Sequence, residues 1–187
     1  MNMLGQLSFR NVVPLALLLI AGPGLVQAAP APPPAPIPAP QSRLPAPSIT
    51  LAEARMIIEG AIAYARERNV LMAVMVVDAA GNPIASERMD GVSANNMLYA
   101  EGKAFAAALQ RQTTETLSQI AKDRPDRYFG IMTMYPGKMY LVGGGEPIIA
   151  NGVLVGAVGV AGLAQYEDEA AGRAGMAAWE RSRAARR

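Results

Sequence analysis

Apolar residues at Leu51, Ala54, Ile57, Ile58, Ala61, Ile62 and Ala65 recur at spacings of three and four, which places them on one face of a helix. Thr50-Leu51-Ala52-Glu53 has capping-box spacing at its start, and the helix is expected to stop near Asn69. Leu71 to Val77 is a nearly unbroken apolar run of strand length, Asp78 to Pro83 is turn chemistry, and Ile84 to Arg88 returns as a second strand. The first strand of this hairpin is expected to be buried on both faces. Asp90-Gly91 breaks the chain, and Ser93 is placed to cap a helix over Ala94 to Gln110 whose many alanines imply close packing. Thr113 or Thr114 caps a shorter helix through Ala121, and the polar stretch Lys122 to Gly130, with Pro125, reads as a loop. Ile131 to Tyr135 reads as a short strand or extended arm, and Met139 to Val142 as a third strand. Pro147 to Ala150 and Val153 to Val160 form a hairpin across Asn151-Gly152, the dipeptide that best tolerates the two positive φ angles of a type I′ turn. Gln165 to Trp179 closes the domain as a helix. Short connections favour antiparallel pairing, so the order predicts an α+β single domain, with helices packed on one antiparallel sheet.

The ends of the chain have a different character. Met1 to Arg10 carries one positive charge, Val12 to Ile20 is apolar, and Val26-Gln27-Ala28 offers small residues for cleavage, so residues 1–28 read as a signal peptide. The apolar run is about half of the ~20 residues a spanning helix needs, and Pro14, Pro23 and Gly24 interrupt it. The expected location is therefore periplasmic or secreted. Residues 29–47 are an Ala/Pro-rich linker, suited to an extended tether near a membrane-associated partner or to a plain spacer. Residues 48–180 hold the folding domain, and 181–187 form a basic tail whose Arg181, Arg183, Arg186 and Arg187 suit a solvated helix end.

Charge and composition narrow the chemistry. Seventeen basic against fifteen acidic residues give a net charge of +2, which supplies no electrostatic footprint for nucleic acid. The chain has no histidine and no cysteine, which removes Ser-His-Asp and Cys-His catalysis and the common zinc sites. Any acid or base must be a carboxylate, lysine or tyrosine, and any metal site would have to be oxygen-rich; no residues are assigned to one.

Four places carry candidate chemistry. Asp90, beside Arg88 and ahead of a helix, suits a metal, a substrate or merely the N–H groups of its own turn. Lys103 lies inside the Ala-rich helix, either as an anion binder with a desolvated amine or as a snorkelling surface residue. Gly143-Gly144-Gly145 would let backbone N–H groups approach an anion or would serve as a tight connection. No Gly-Lys-Ser/Thr follows, so it is no P-loop. Glu146 follows at a point where a carboxylate could reach a bound ligand, or remain solvated. Asp168 and Glu169 open the last helix, where the dipole favours them.

Taken in order, Leu51-x-x-Ala54, Val76-Val77-Asp78-x-x-Gly81, Arg88-Met89-Asp90-Gly91, Lys103-Ala104, Gly144-Gly145-x-Pro147, Gly152-x-x-Val155-Gly156-Ala157-Val158-Gly159-Val160 and Asp168-Glu169 with Ala174-Gly175 resemble the GlcG/HbpS family. They are also similar to the C-terminal domain of some propanediol-utilisation corrinoid adenosyltransferases. The resemblance implies a profilin-like sandwich that self-associates, and some exported members of the family bind haem. It also implies an iron-proximal histidine on the first helix, which this chain lacks. Met56 and Tyr64 on the first helix, Met97 and Tyr99 on the second, and Met75, Met132, Met134 and Met139 are the available substitutes. The leading expectation is an exported, self-associating module that binds a small planar or anionic ligand, haem among the candidates. Arg88, Asp90, Lys103, Gly144, Gly145 and Glu146 would be its ligand-binding residues. One alternative is a cofactor-free enzyme on a small organic acid or aromatic, with Lys103 or Glu146 as the acid–base group. The other is an assembly or signalling module for a membrane partner.

Overall fold

Thr50 accepts a hydrogen bond from Glu53 N while the Glu53 side chain accepts from Thr50 N, and this reciprocal box opens α1 (Leu51–Glu67). The computed structural model describes residues 47–162 and 164–185; the signal segment, all but the last residue of the Ala/Pro linker, and the final two arginines lie outside them. Along the chain follow β1 (Ala73–Asp78), β2 (Pro83–Arg88), α2 (Ala94–Gln110), α3 (Thr114–Asp123), α4 (Pro125–Met134), β3 (Gly145–Ala150), β4 (Val153–Ala161) and α5 (Gln165–Ala185). The four strands form one sheet in the order β2-β1-β4-β3, antiparallel throughout. This is the α+β architecture that the apolar pattern indicates.

Alternation along the two central strands builds three layers. Val74 and Val76 of β1 and Val158 and Val160 of β4 point to one face, where they pack with Ile57, Ile58 and Ile62 of α1 and Trp179 of α5. Ala73, Met75, Val77, Ala157 and Ala161 point to the other, against Ala100, Ala104 and Ala107 of α2. Alanine dominates the second face, so α2 lies close to the sheet. Asn151 and Gly152 both have positive φ, 52° and 78°, as the expected tight turn requires.

Three expectations do not hold. Lys122 to Gly130 is not a loop: Pro125 sits in the first turn of α4, where its missing N–H costs nothing, and so starts a helix instead of breaking one. Ile131 to Tyr135 is accordingly no strand, since α4 runs to Met134. Met139 to Val142 is irregular rather than a third strand of the expected run. Its Tyr140 N donates to Gly102 O of α2 at 3.1 Å, while Met139 and Leu141 are buried beside Leu117 of α3.

Glu53 also links the two ends of the α1–α5 layer. Burial alone would raise its pKa, but hydrogen bonds from Thr50 and Trp179 Nε1 (3.3 Å), with Arg183 nearby, hold it below its ordinary 4.5. A depressed carboxylate contributes stability that is present above its unfolded pKa and is lost as pH falls through the folded one. Acidification below about pH 4.5 is therefore expected to loosen α1 from α5 and shift the fluorescence of Trp179, the single tryptophan. In Glu53→Gln that acid step should vanish; an unchanged acid titration would exclude Glu53 as its origin.

Candidate functional site

The triple-glycine corner and Lys103 do meet, and they meet inside the protein. Lys103 lies on the stripe of α2 that faces the sheet, between Ala100 and Ala107, and only 2% of it is exposed. Its Nζ donates to Asp168 Oδ2 at 2.7 Å and to Val160 O at 2.8 Å. Asp168, in the first turn of α5, is 5% exposed. Burial pushes the Lys103 ammonium down and the Asp168 carboxyl up, and their mutual attraction opposes both shifts. Asp168 Oδ1 has no hydrogen-bond partner among the described residues.

Glycine makes room for this pair. Gly144 has φ +113°, and a Cβ there would lie 2.8 Å from Asp168 Cβ and 3.0 Å from Lys103 Nζ. A Cβ on Gly145 would lie 2.6 Å from Lys103 O, and Gly145 N already donates to Thr114 Oγ1 at 2.8 Å. The corner is thus filled by protein, and the amine faces a carboxylate. In the sequence, Asp168 suits the helix dipole, and Thr113 or Thr114 suits the cap of α3. The structure has Thr113 as the cap and makes Thr114 and Asp168 the partners of the corner. The signal that could have called for a partner is general: an ammonium on a buried, alanine-lined helix face needs an opposite charge beside it.

The remaining candidates are dispersed. Glu146 stands on β3, opposite Val158, with Arg173 Nη1 3.9 Å away. Burial raises its pKa, Arg173 opposes, and Glu169 and Glu115 add to the rise. Arg88 ends β2 at the other edge of the sheet, three strand spacings or roughly 14 Å across from β3, and donates to Val92 O. Asp90 is exposed in the turn that follows. These residues do not converge on one cavity.

Two other candidates do share a wall. Met56 and Tyr64 line a groove of about 560 Å³ between α1 and α5. Its floor is Gly60, Ala63, Ala174 and Ala178, with Glu59 and Glu67 along the α1 side and Arg181 on α5. The helices come together closely here: a Cβ on Gly60 would be 2.8 Å from Ala178 Cβ. Tyr64 Oη donates to Glu167 Oε2 at 2.7 Å, which raises the phenol pKa and keeps it protonated. A flat floor without long side chains suits the face of a planar ring, and Arg181 suits a carboxylate on its edge. The fit to haem is partial, because Tyr64, one of the two possible iron donors on this wall, is held as a neutral phenol by Glu167.

Comparison with known proteins identifies the family and the fold. The family model described as Haem degrading protein HbpS-like matches residues 49–177. An uncharacterized 15.0 kDa protein of Citrobacter freundii, from the dhaT-dhaS intergenic region, is 34% identical over 121 residues, covering 65% of this chain and 84% of that protein. The crystal structure of HbpS superposes with a TM-score of 0.64 at 31% identity, covering 71% of this chain and 90% of that one. The PduOC:haem complex matches with a TM-score of 0.65 at 24% identity over 70% of this chain and 94% of its own, a likeness of fold.

Proposed function

We propose, on the premise that this chain belongs to the Haem degrading protein HbpS-like family, that it is an exported binder of a planar, carboxylate-bearing small molecule of the tetrapyrrole type. The groove between α1 and α5 is the proposed seat. The observation that carries this reading is the Gly/Ala floor with Met56 and Tyr64 on its wall and the cation Arg181 among its lining residues. Support also comes from the related PduOC domain, solved in complex with haem.

The binding mode follows from the donor set. With no histidine and a phenol pinned to Glu167, affinity comes from contact of the ring face with the small-residue floor, not from a strong axial bond to iron. Arg181 orients the carboxylate edge, because Glu59 and Glu67 repel it from the α1 side. A haem seated here would bring redox-active iron; the chain's own part is to hold and orient the ring. Export through residues 1–28 and self-association belong to the same reading, and Phe129 and Met134, 65% and 73% exposed on α4, supply apolar surface for a second copy.

One preparation tests all of this. The full chain is expressed in a bacterium, the periplasmic fraction is collected, and its intact mass, light-scattering mass and affinities for haemin and metal-free protoporphyrin are measured. The expected result is a chain beginning at Ala29, a mass above that of a monomer, and the two porphyrins binding within about threefold of each other. Ala63→Arg should weaken both. Failure of both porphyrins to bind would overturn the ligand reading. Haemin binding about a hundredfold tighter than protoporphyrin, and lost in Met56→Leu, would overturn the ring-face mode.

A further inference from the structure

A second cleft lies on the opposite side of the sheet, and it is built by close approach. Leu98, Glu101, Gly102 and Phe105 follow one another at helical spacing along α2 and form its floor. The β1–β2 turn makes one wall. Asp78 locks that turn by accepting from Ala80 N (2.8 Å) and Asn82 N (2.9 Å), and Gly81, at φ +86°, lets it rest on the Phe105 ring, which a Cβ would strike at 2.5 Å. The segment Gly137 to Tyr140 makes the other wall. It is tied by Tyr140 N to Gly102 O, where a Cβ on Gly102 would lie 2.9 Å from Tyr140 Cβ. Both walls are therefore held in place before any ligand arrives.

The cleft's chemistry is bipolar. Leu98, 64% exposed, and Phe105 offer an apolar and aromatic surface. Glu101 stands on the floor, and Lys138 lies on the wall with its Nζ 5.9 Å from the Phe105 ring centroid. Among the described residues the two charges form no ion pair with each other. The volume, about 290 Å³, is at the lower end for ligand sites and about half that of the α1–α5 groove. A tetrapyrrole does not belong there, whereas a small zwitterion with an apolar body does.

The geometry points to a site for a free aromatic or large apolar α-amino acid, its ammonium on Glu101, its carboxylate on Lys138 and its side chain on Leu98 and Phe105. This site is independent of the α1–α5 groove and does not rest on the porphyrin reading. Each charge is worth testing separately, because a carboxylate partner and an ammonium partner fail with different ligands.

The full-length protein is titrated by calorimetry with L-phenylalanine, N-acetyl-L-phenylalanine and L-phenylalanine amide, and the Leu98 methyl shifts locate the site. L-phenylalanine should bind, and each derivative should bind at least about tenfold more weakly. Glu101→Gln should abolish discrimination against the acetyl derivative only, and Lys138→Gln discrimination against the amide only. Lys138→Arg should retain it. Both positions are solvent-accessible, and thermal melts of each variant confirm that the fold persists. No heat and no Leu98 shift at about 10 mM amino acid would overturn the proposal. So would equal affinity for all three compounds, or shifts confined to Met56 and Ala63 of the other groove.

Discussion

Asp168→Asn is expected to cost about 3–5 kcal/mol of folding stability, the range for removing one partner of a buried ion pair. The cost comes from what remains: the Lys103 ammonium, 2% exposed, would keep Val160 O and lose the carboxylate at 2.7 Å. The pH dependence carries a definite sign. Burial already pushes Lys103 below its ordinary 10.5, and Asp168 supplies the two largest opposing effects, so the variant lowers it further. A lysine with a depressed pKa binds fewer protons folded than unfolded, so stability rises with pH toward 10.5. Urea midpoints of the variant should therefore recover on moving from neutral to alkaline pH. Lys103→Met combined with Asp168→Leu should recover most of that loss, because it removes both desolvation penalties and the unpartnered Oδ1 and leaves Val160 O as the group that loses its ammonium donor. A parent-like midpoint for Asp168→Asn would mean that the ammonium reaches water, and the packed-corner description would fail.

This pair also marks how far the sequence could be read. Helical spacing left Lys103 either in a pocket or on the surface, and the glycines either as an anion site or as a tight connection. Neither gave the partner, because Asp168 is 65 positions away and its own local context, a helix start, already accounts for an acid there. The same division runs through the fold. Elements whose signal is local came out within a few residues: α2 spans Ala94–Gln110 with Ser93 as its cap, and the last hairpin turns at Asn151-Gly152. Met139 to Val142 did not, since an apolar run this short fits a strand or a buried connection equally, and its hydrogen bond to Gly102 of a helix is tertiary. The two grooves were legible only in halves. Met56 and Tyr64 were visible as first-helix donors, but the α5 side, Ala174, Ala178 and Arg181, belongs to a helix more than a hundred residues later. Glu101 and Lys138 had no local reason to be considered together.

Two glycine substitutions of identical chemistry should move stability in opposite directions. Gly159 lies on β4 between Ala157 and Ala161, on the face that carries α2. A Cβ there would stand 2.0 Å from Ala100 O and 2.6 Å from Ala104 N. Both are backbone atoms of a helix, so no rotamer change relieves the clash, and α2 must move outward by more than about 1 Å to restore van der Waals separation. That displacement opens a gap along Ala100, Ala104 and Ala107, whose short side chains cannot refill it. Gly159→Ala is therefore expected to lose about 3 kcal/mol or more, at or beyond the upper end for overpacked cores. Gly172, within α5, is also buried, but its added Cβ would meet only Glu146 Cγ at 3.5 Å and Val160 Cγ2 at 3.8 Å, ordinary contacts. There the helix propensity of alanine decides, and Gly172→Ala should gain about 1 kcal/mol. Urea unfolding at unchanged m-value measures both. A loss below about 1 kcal/mol for Gly159→Ala would show that α2 does not sit against β4 at this distance, and the floor and walls of the amino-acid cleft would have to be redrawn with it.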